Sequence, residues 1–200
     1  MHIHFIDVVL FLHIAIAVLA FGVAGIMLTA LAQMRSADSI AVLRTWQRVT
    51  HRVEPWFPIL VLFLIGLGAW LIALSHGEFS WRDGWVITAV VTLVIMEGYG
   101  GAVLAPNAKR LHTRIEATPD GPVPDDLRAA VLNPLVWAGA WGETGLAAGI
   151  LFLMPTKPTG VSPVVIVVGA GLVAVSIGYR MCTAPSRGRQ PQTAARGGLH

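Results

Sequence analysis

Charged residues and cysteines are both scarce in this sequence. Asp, Glu, Lys and Arg make up 12% of the 200 residues, whereas soluble domains carry roughly 25%. The single cysteine, Cys182, excludes an internal disulfide and any metal or iron–sulfur site that needs several cysteines. The composition therefore argues against a soluble domain and against a cysteine-based centre.

The excess of basic over acidic residues is also small, a net charge of +3 at pH 7. These basic residues flank apolar segments, which is typical of side chains that face anionic lipid headgroups. We therefore expect the lipid bilayer with its anionic headgroups as a partner, and no nucleic acid.

Apolar residues are abundant, at 55% of the chain, and they occur in long blocks. A helix that is apolar on every side is surrounded by lipid or by protein, and about 20 residues cross the hydrocarbon core. We predict an all-α, polytopic membrane helix bundle of about five transmembrane helices. The predicted spans are residues 5–32, 56–74, 84–104, 135–154 and 163–179.

The distribution of Lys and Arg predicts the orientation, because these residues collect in cytoplasmic loops. Twelve of them follow the first, third and fifth spans, and only Arg82 and Lys157 lie on the other side. The predicted protein is thus a multi-pass protein of the inner (plasma) membrane, with its N-terminus outside and its C-terminus cytoplasmic. Residues 1–182 form the predicted transmembrane domain, and residues 183–200 a disordered basic cytoplasmic tail.

Residues 33–55 form a basic connection with a helical pattern. Its apolar residues recur every three or four positions, at Ile40, Leu43, Trp46, Val49 and Val53. This pattern suits an amphipathic helix lying on the headgroups, and it suits equally a solvated extension of the second span. A further short helix is predicted at residues 125–132, before the fourth span.

Ionisable residues inside the predicted spans are few, and each needs a reason because a charge at the bilayer centre costs at least ~2.5 kcal/mol. His13, Glu97 and Glu143 lie in three different spans. Their depths, estimated from the helix rise, fall within about 8 Å of one another. We predict that they form one buried cluster that handles a divalent metal ion or protons. A hydrogen-bonded cluster that only joins the helices is the alternative.

Haem is a second candidate cofactor. Haem b would take His13 as a ligand, together with His4 or His76. His4 and His13 are nine residues apart and point to opposite faces of one helix, so they do not readily ligate the same atom.

Small residues predict where helices pack closely. Gly98 and Gly101 lie in the third span, and Gly145 and Gly149 form a Gly-x-x-x-Gly pair in the fourth. We expect these glycines to bring the third and fourth spans together near the two glutamates. Such faces would also suit a membrane protein partner or a homo-oligomer.

Three short motifs resemble the DUF2269 family of small bacterial membrane proteins, whose function is unassigned. They are residues 152–158 (Phe-Leu-Met-Pro-Thr-Lys-Pro), His13 followed by Gly22 and Gly25, and residues 54–56 (Glu-Pro-Trp). The family is distantly similar to copper-resistance permeases and to haem-linked membrane oxidases. The resemblance implies a helical membrane protein with His13 as a ligand.

We accordingly expect a non-enzymatic integral membrane protein that handles a metal ion or protons through His13, Glu97 and Glu143. A haem-binding redox protein and an accessory subunit of a membrane complex are the two alternative hypotheses.

Overall fold

The computed structural model of the chain describes residues 4–183. Apart from one isolated bridge between Ser39 and Pro122, this part of the chain contains no strand. In order, its helices are α1 (Phe5–Ser36), α2 (Ile40–Val53), α3 (Trp56–Leu74), α4 (Gly84–Tyr99), α5 (Ala105–Ala117), α6 (Asp125–Val131), α7 (Pro134–Thr156) and α8 (Ser162–Thr183), and a π-helical turn, Gly100–Leu104, joins α4 to α5. The predicted disorder of residues 184–200 concerns a segment outside the described residues.

Five helical stretches are long and apolar enough to cross a membrane, which confirms the predicted fold class. They are Phe5–Ser36, Ile40–Leu74, Gly84–Ala117, Asp125–Thr156 and Ser162–Thr183. Most of the apolar surface of each stretch faces away from the rest of the protein, as a lipid-facing surface does. The chain is therefore a multi-pass membrane protein built only from helices.

Four of these stretches, at 32 to 35 residues, are longer than a span requires. At 1.5 Å per residue they measure about 48–53 Å, against a hydrocarbon core of about 30 Å. The excess lies on the side rich in Lys and Arg, which we call the basic side. Glu54 and Pro55 keep helical backbone angles between α2 and α3, so α2 is a solvated extension of the second span.

On the basic side, the end of α1 packs with α2, α5 and α6 into a small domain that we call the cap. Its apolar core contains Met34, Ala37, Ile40, Leu43, Ile115, Leu127 and Val131, each no more than 4% exposed. A core of this kind is typical of a soluble helical domain. The structure therefore buries the apolar face of α2 against other helices.

Arg44 holds the tip of the cap together. Its guanidinium donates to the Asp120 carboxylate at 2.7 Å and to the Thr118 carbonyl at 3.0 Å. The start of α2 is also joined to the same loop, because the Ile40 N–H donates to the Gly121 carbonyl at 2.9 Å. Charge-assisted bonds that are partly shielded from water are stronger than exposed ones, so this loop is firmly attached to α2.

Within the membrane, α7 and α8 form the most extensive helix pair, α1 packs on α3, and α4 lies against α7. Gly145 and Gly149 face α8, and Cβ atoms added to them would lie 2.5 Å from the Ala170 carbonyl oxygen and 2.8 Å from Val167 Cα, respectively. We expected these glycines to face the third span, and the structure gives them a different partner. Cβ atoms added to Gly98 and Gly101 would meet nothing within 4 Å among the described residues.

Candidate functional site

Glu97 on α4 and Glu143 on α7 come together inside the membrane-spanning part of the protein. The two carboxyl groups are close enough to interact electrostatically. Gly100 leaves room for this approach, since a Cβ atom there would lie 3.6 Å from Glu143 Oε1. That oxygen is buried and has no hydrogen-bond partner within residues 4–183. The site is thus a pair of acids from two spans.

A π-helical turn, Gly100–Leu104, follows directly after Glu97 and Tyr99. In this turn the Ala105 N–H bonds to the Gly100 carbonyl, five residues back instead of four. Such turns insert an extra residue and are frequent at functional sites. Before the turn, Glu97 lies near Glu143 of α7, and after the turn Ile115 lies in the core of the cap.

Tyr99 lies between the acid pair and the basic side. Its hydroxyl donates to the Leu135 carbonyl at 2.9 Å, and it is near enough to Glu143 to interact electrostatically. The ring covers Gly139, where an added Cβ atom would lie 2.8 Å from Tyr99 Cζ. Glycine at position 139 therefore allows the phenol to lie flat against α7.

Polar side chains continue from Tyr99 towards the basic end of the spans. Asn133 caps α7 by accepting a bond from the Leu135 N–H at 3.0 Å, and its amide donates to Asn107 Oδ1 at 3.3 Å. Asn107 in turn donates to the Val103 carbonyl of the π-helical turn at 2.7 Å. Together with Tyr99 these two amides form a series of polar groups that we call the polar path.

The opposite side of the acid pair is mostly apolar, apart from the hydroxyl groups of Thr88 and Thr92 on α4, which donate to the Gly84 and Thr88 carbonyl groups. An outer apolar cluster fills the space where α4, α7 and α8 meet; its buried members are Ala89, Ile150, Leu153 and Val167, with Trp85, Leu93, Met96, Leu146, Met154 and Ile166 packed against them. No side chain of this cluster is ionisable. The surroundings of the acid pair are therefore asymmetric, with phenol and amide groups towards the basic side and mainly hydrocarbon towards the other.

His13 lies elsewhere, at the contact between α1 and α3. Its imidazole interacts with the backbone of Leu64 and packs against Gly68, where an added Cβ atom would lie 3.4 Å from His13 Cε1. The ring atom Nδ1 is buried without a hydrogen-bond partner among the described residues. The structure thus brings Glu97 and Glu143 together and leaves His13 on another helix pair.

This arrangement does not form the expected metal site. Among residues 4–183, no three His, Cys, Asp or Glu side chains are grouped so that they could hold a metal ion. The depths of His13, Glu97 and Glu143 could be estimated from the sequence, but the direction in which each side chain points depends on how the helices pack. A similar depth is not sufficient for contact.

The histidines considered for haem lie at different levels. His4 is exposed at the start of α1, where its backbone N–H donates to Asp7 Oδ2 at 2.9 Å. His13 is about 13 Å further along the same helix. His76 is exposed in the loop after α3, with a left-handed backbone angle φ of 51°. Neither His4 nor His76 reaches the level of His13.

Several polar residues of the site were not among the predicted ones. Tyr99, Asn107 and Asn133 contribute the polar path, and the rings of His51 and His112 stack in the cap with centroids 5.1 Å apart. The glycines that surround Tyr99 were one available signal, because a run poor in side chains permits an irregular helical turn. The partners of the asparagines could not be read from their spacing.

Comparison with known proteins found no matching family model, no matching curated protein and no matching solved structure. The resemblance to the DUF2269 family therefore stays a prediction.

Proposed function

We propose that this membrane protein binds and releases protons at the Glu97–Glu143 pair. The observation that carries the proposal is the meeting of two carboxyl groups from different spans with no cationic partner. Neither glutamate forms an ion pair within residues 4–183, and one carboxyl oxygen of Glu143 is buried without a hydrogen bond.

The chemistry follows from the cost of charge in a membrane. An ionised side chain near the bilayer centre costs at least ~2.5 kcal/mol, and a second negative charge beside it adds repulsion. A carboxyl group that holds a proton avoids both the cost of a charge in the membrane and the repulsion by its neighbour. Two neighbouring carboxyl groups also take up protons in coupled steps, because a proton on one stabilises the charge on the other. Such a pair is suited to storing and passing on a proton.

A proton suits this site better than a metal ion does. A divalent ion needs several ligands at fixed distances, and the described residues offer two carboxyl groups without a third ligand. A proton needs only a carboxyl oxygen and a hydrogen-bonding route. We therefore propose that the pair handles protons and not a metal ion.

The asymmetry of the surroundings supports exchange with the basic side. Tyr99, Asn133 and Asn107 offer hydroxyl and amide groups in that direction. In the other direction the outer apolar cluster fills the space, and the hydroxyl groups of Thr88 and Thr92 donate to carbonyl groups of their own helix. Proton transfer needs groups within hydrogen-bonding reach of one another or of an intervening water. We propose that protons enter and leave on the basic side, and that crossing to the other side requires the outer apolar cluster to move.

Infrared difference spectroscopy of the protein in lipid vesicles tests proton binding directly. Stepping the pH within the range above that in which exposed carboxyl groups titrate should change the carbonyl stretching band of protonated carboxyl groups in the wild type. Glu143→Gln and Glu97→Gln should each remove part of that change. Glu78→Gln, in the exposed loop after α3, is the matched control and should leave it intact. Identical difference bands in all four proteins would refute the proposal.

Chemical modification tests the side from which the pair is reached. A water-soluble carbodiimide reacts with protonated carboxyl groups and can be added to either face of vesicles of known orientation. We expect modification of Glu143, located by mass spectrometry, from the basic side only. Equal modification from both sides would contradict one-sided access while leaving proton binding at the pair standing.

A further inference from the structure

In the cap, α2 and α5 run antiparallel, and their side chains contact each other in successive pairs along the two helices. At the tip, Arg44 pairs with Asp120 at 2.7 Å and lies 3.6 Å from Glu116. One turn nearer the membrane, Arg48 approaches Glu116 at 3.9 Å. The next level is the stack of His51 on His112, with ring planes only 6° apart. The charges of the arginines on this contact are therefore balanced by carboxylates at the tip.

Beyond the histidine stack towards the membrane, this contact has two cations and, among residues 4–183, no acid paired with them. Arg52 lies one turn beyond Arg48 on α2 and next to His51, and Lys109 lies one turn before His112 on α5. The pairing of His51 with His112 places Lys109 about 3 Å nearer the membrane than Arg52, a stagger that two long side chains can span. Both side chains are exposed, and neither forms an ion pair or a hydrogen bond within residues 4–183. We call these two residues the basic rung.

No neighbouring acid balances the basic rung. Glu116, the acid on the same ridge of α5, lies seven residues from Lys109, which is about 10 Å along the axis. Glu54 follows Arg52 by two residues, so it points about 200° away around the helix, and it is half-buried. The positive charge of Arg52 and Lys109 is therefore available to a ligand.

The basic rung lies at the level of the lipid headgroups. Arg52 precedes Trp56, the first residue of α3, by about 6 Å, and Lys109 follows Leu104, the last residue of the π-helical turn, by about 8 Å. The headgroup region extends about 5–8 Å beyond the hydrocarbon core. Trp56 is 56% exposed, as expected of an aromatic residue at the interface.

We propose that Arg52 and Lys109 together bind the phosphate of an anionic phospholipid in the leaflet on the basic side. Lys and Arg are the side chains that bind phosphate, through charge-assisted hydrogen bonds. A zwitterionic lipid carries an ammonium group that two unpaired cations would repel. The site therefore selects a headgroup with net negative charge, and it joins the cap to the membrane surface.

Native mass spectrometry of the purified protein, titrated with phosphatidylglycerol and with phosphatidylcholine, tests this site. We expect one phosphatidylglycerol molecule to bind more tightly than phosphatidylcholine. Each basic residue near a membrane surface contributes about 1 kcal/mol to the binding of anionic lipid. The double variant Arg52→Gln with Lys109→Gln should therefore bind phosphatidylglycerol about 30-fold more weakly. Arg52→Lys keeps the charge and should bind as the wild type does.

The control pair is Arg82→Gln with Arg110→Gln, which removes the same charge. Arg82 is exposed on the opposite side of the membrane, and Arg110 is exposed next to Lys109 on a different face of α5. The control should bind phosphatidylglycerol as the wild type does. The proposal would be overturned if the control lost phosphatidylglycerol binding to the same extent. It would also be overturned if the basic-rung variant bound the lipid as the wild type does, or if inorganic phosphate displaced the lipid. Thermal unfolding of each variant checks that the cap is intact. If the double Gln variant does not fold, Arg52→Gln and Lys109→Gln are tested singly, and each should weaken phosphatidylglycerol binding about fivefold.

Discussion

Replacing Gly145 with alanine should weaken the contact between α7 and α8, the most extensive helix pair in the membrane. The added Cβ atom would lie 2.5 Å from the Ala170 carbonyl oxygen and would also clash with the Ala174 Cβ atom. Both obstacles belong to the backbone or to the shortest side chain, so neither can rotate away. The two helices would have to move apart by roughly an ångström to restore normal contact.

The magnitude follows from two opposing effects. Overpacking of a close contact costs roughly 1–3 kcal/mol, while replacing glycine by alanine inside a helix returns about 0.5–1 kcal/mol. We therefore expect a net loss of about 1–2 kcal/mol in the free energy of unfolding. For a chain of this size such a loss lowers the Tm by roughly 2–8 °C.

The single cysteine provides the assay. Cys182 on α8 is 7% exposed, and its thiol donates to the Leu132 carbonyl at 2.9 Å. A maleimide that fluoresces on reaction with a thiol will label it when α8 separates from α7. Heating the detergent-solubilised protein with this reagent reports the unfolding of the helix pair that Gly145→Ala disturbs.

The matched control is Gly98→Ala, the same substitution at a glycine with open space around it. It should leave the Tm unchanged or raise it slightly, because only the helix-propensity term remains. A Tm for Gly145→Ala equal to that of the wild type, or an equal fall in both variants, would refute the packing argument. A change of oligomeric mass in Gly98→Ala would show that this face packs against another chain.

Four further predictions concern the cap, the polar path and haem. Ile115→Ala, at a position 0% exposed, should cost about 2–5 kcal/mol and accelerate hydrogen exchange in α2; unchanged exchange would contradict the cap core. Arg44→Gln should cost about 1–3 kcal/mol and expose residues 118–123 to exchange, whereas protection equal to wild type would show that the Asp120 contact contributes nothing. Tyr99→Phe should slow proton exchange at the acid pair roughly tenfold, the effect of about 1.4 kcal/mol on a barrier, and time-resolved infrared spectra after a pH jump will show whether it does. The purified protein should show no Soret absorbance, and a Soret band that disappears in His13→Ala would contradict this.

The membrane spans could be predicted from the sequence because hydropathy and length are local properties. The predicted third span, residues 84–104, has the same limits as α4 together with the π-helical turn, and the predicted second span coincides with α3. The helical extension of the second span was one of two interpretations of residues 33–55. The sequence shows the apolar spacing of α2, but it does not show which helices pack on the apolar face of α2. The cap could therefore not be predicted.

The candidate site shows the same division between local and tertiary information. That Glu97 and Glu143 are buried at similar depth follows from their positions along two apolar stretches. Whether they meet depends on the rotation of each helix, and successive residues turn by about 100°. A π-helical turn, which inserts one residue, changes that rotation without a clear sign in the sequence.

By itself, therefore, the sequence determined that the chain is an all-helical membrane protein with five spans and with a few ionisable residues at membrane depth. Only the tertiary structure decided that two of these residues form a pair, that His13 on α1 lies apart from them against α3, and that Gly145 packs on α8. The physical reason is that burial in lipid is set by the composition of each segment alone. The contacts between segments are set by which face of each helix turns towards its neighbours.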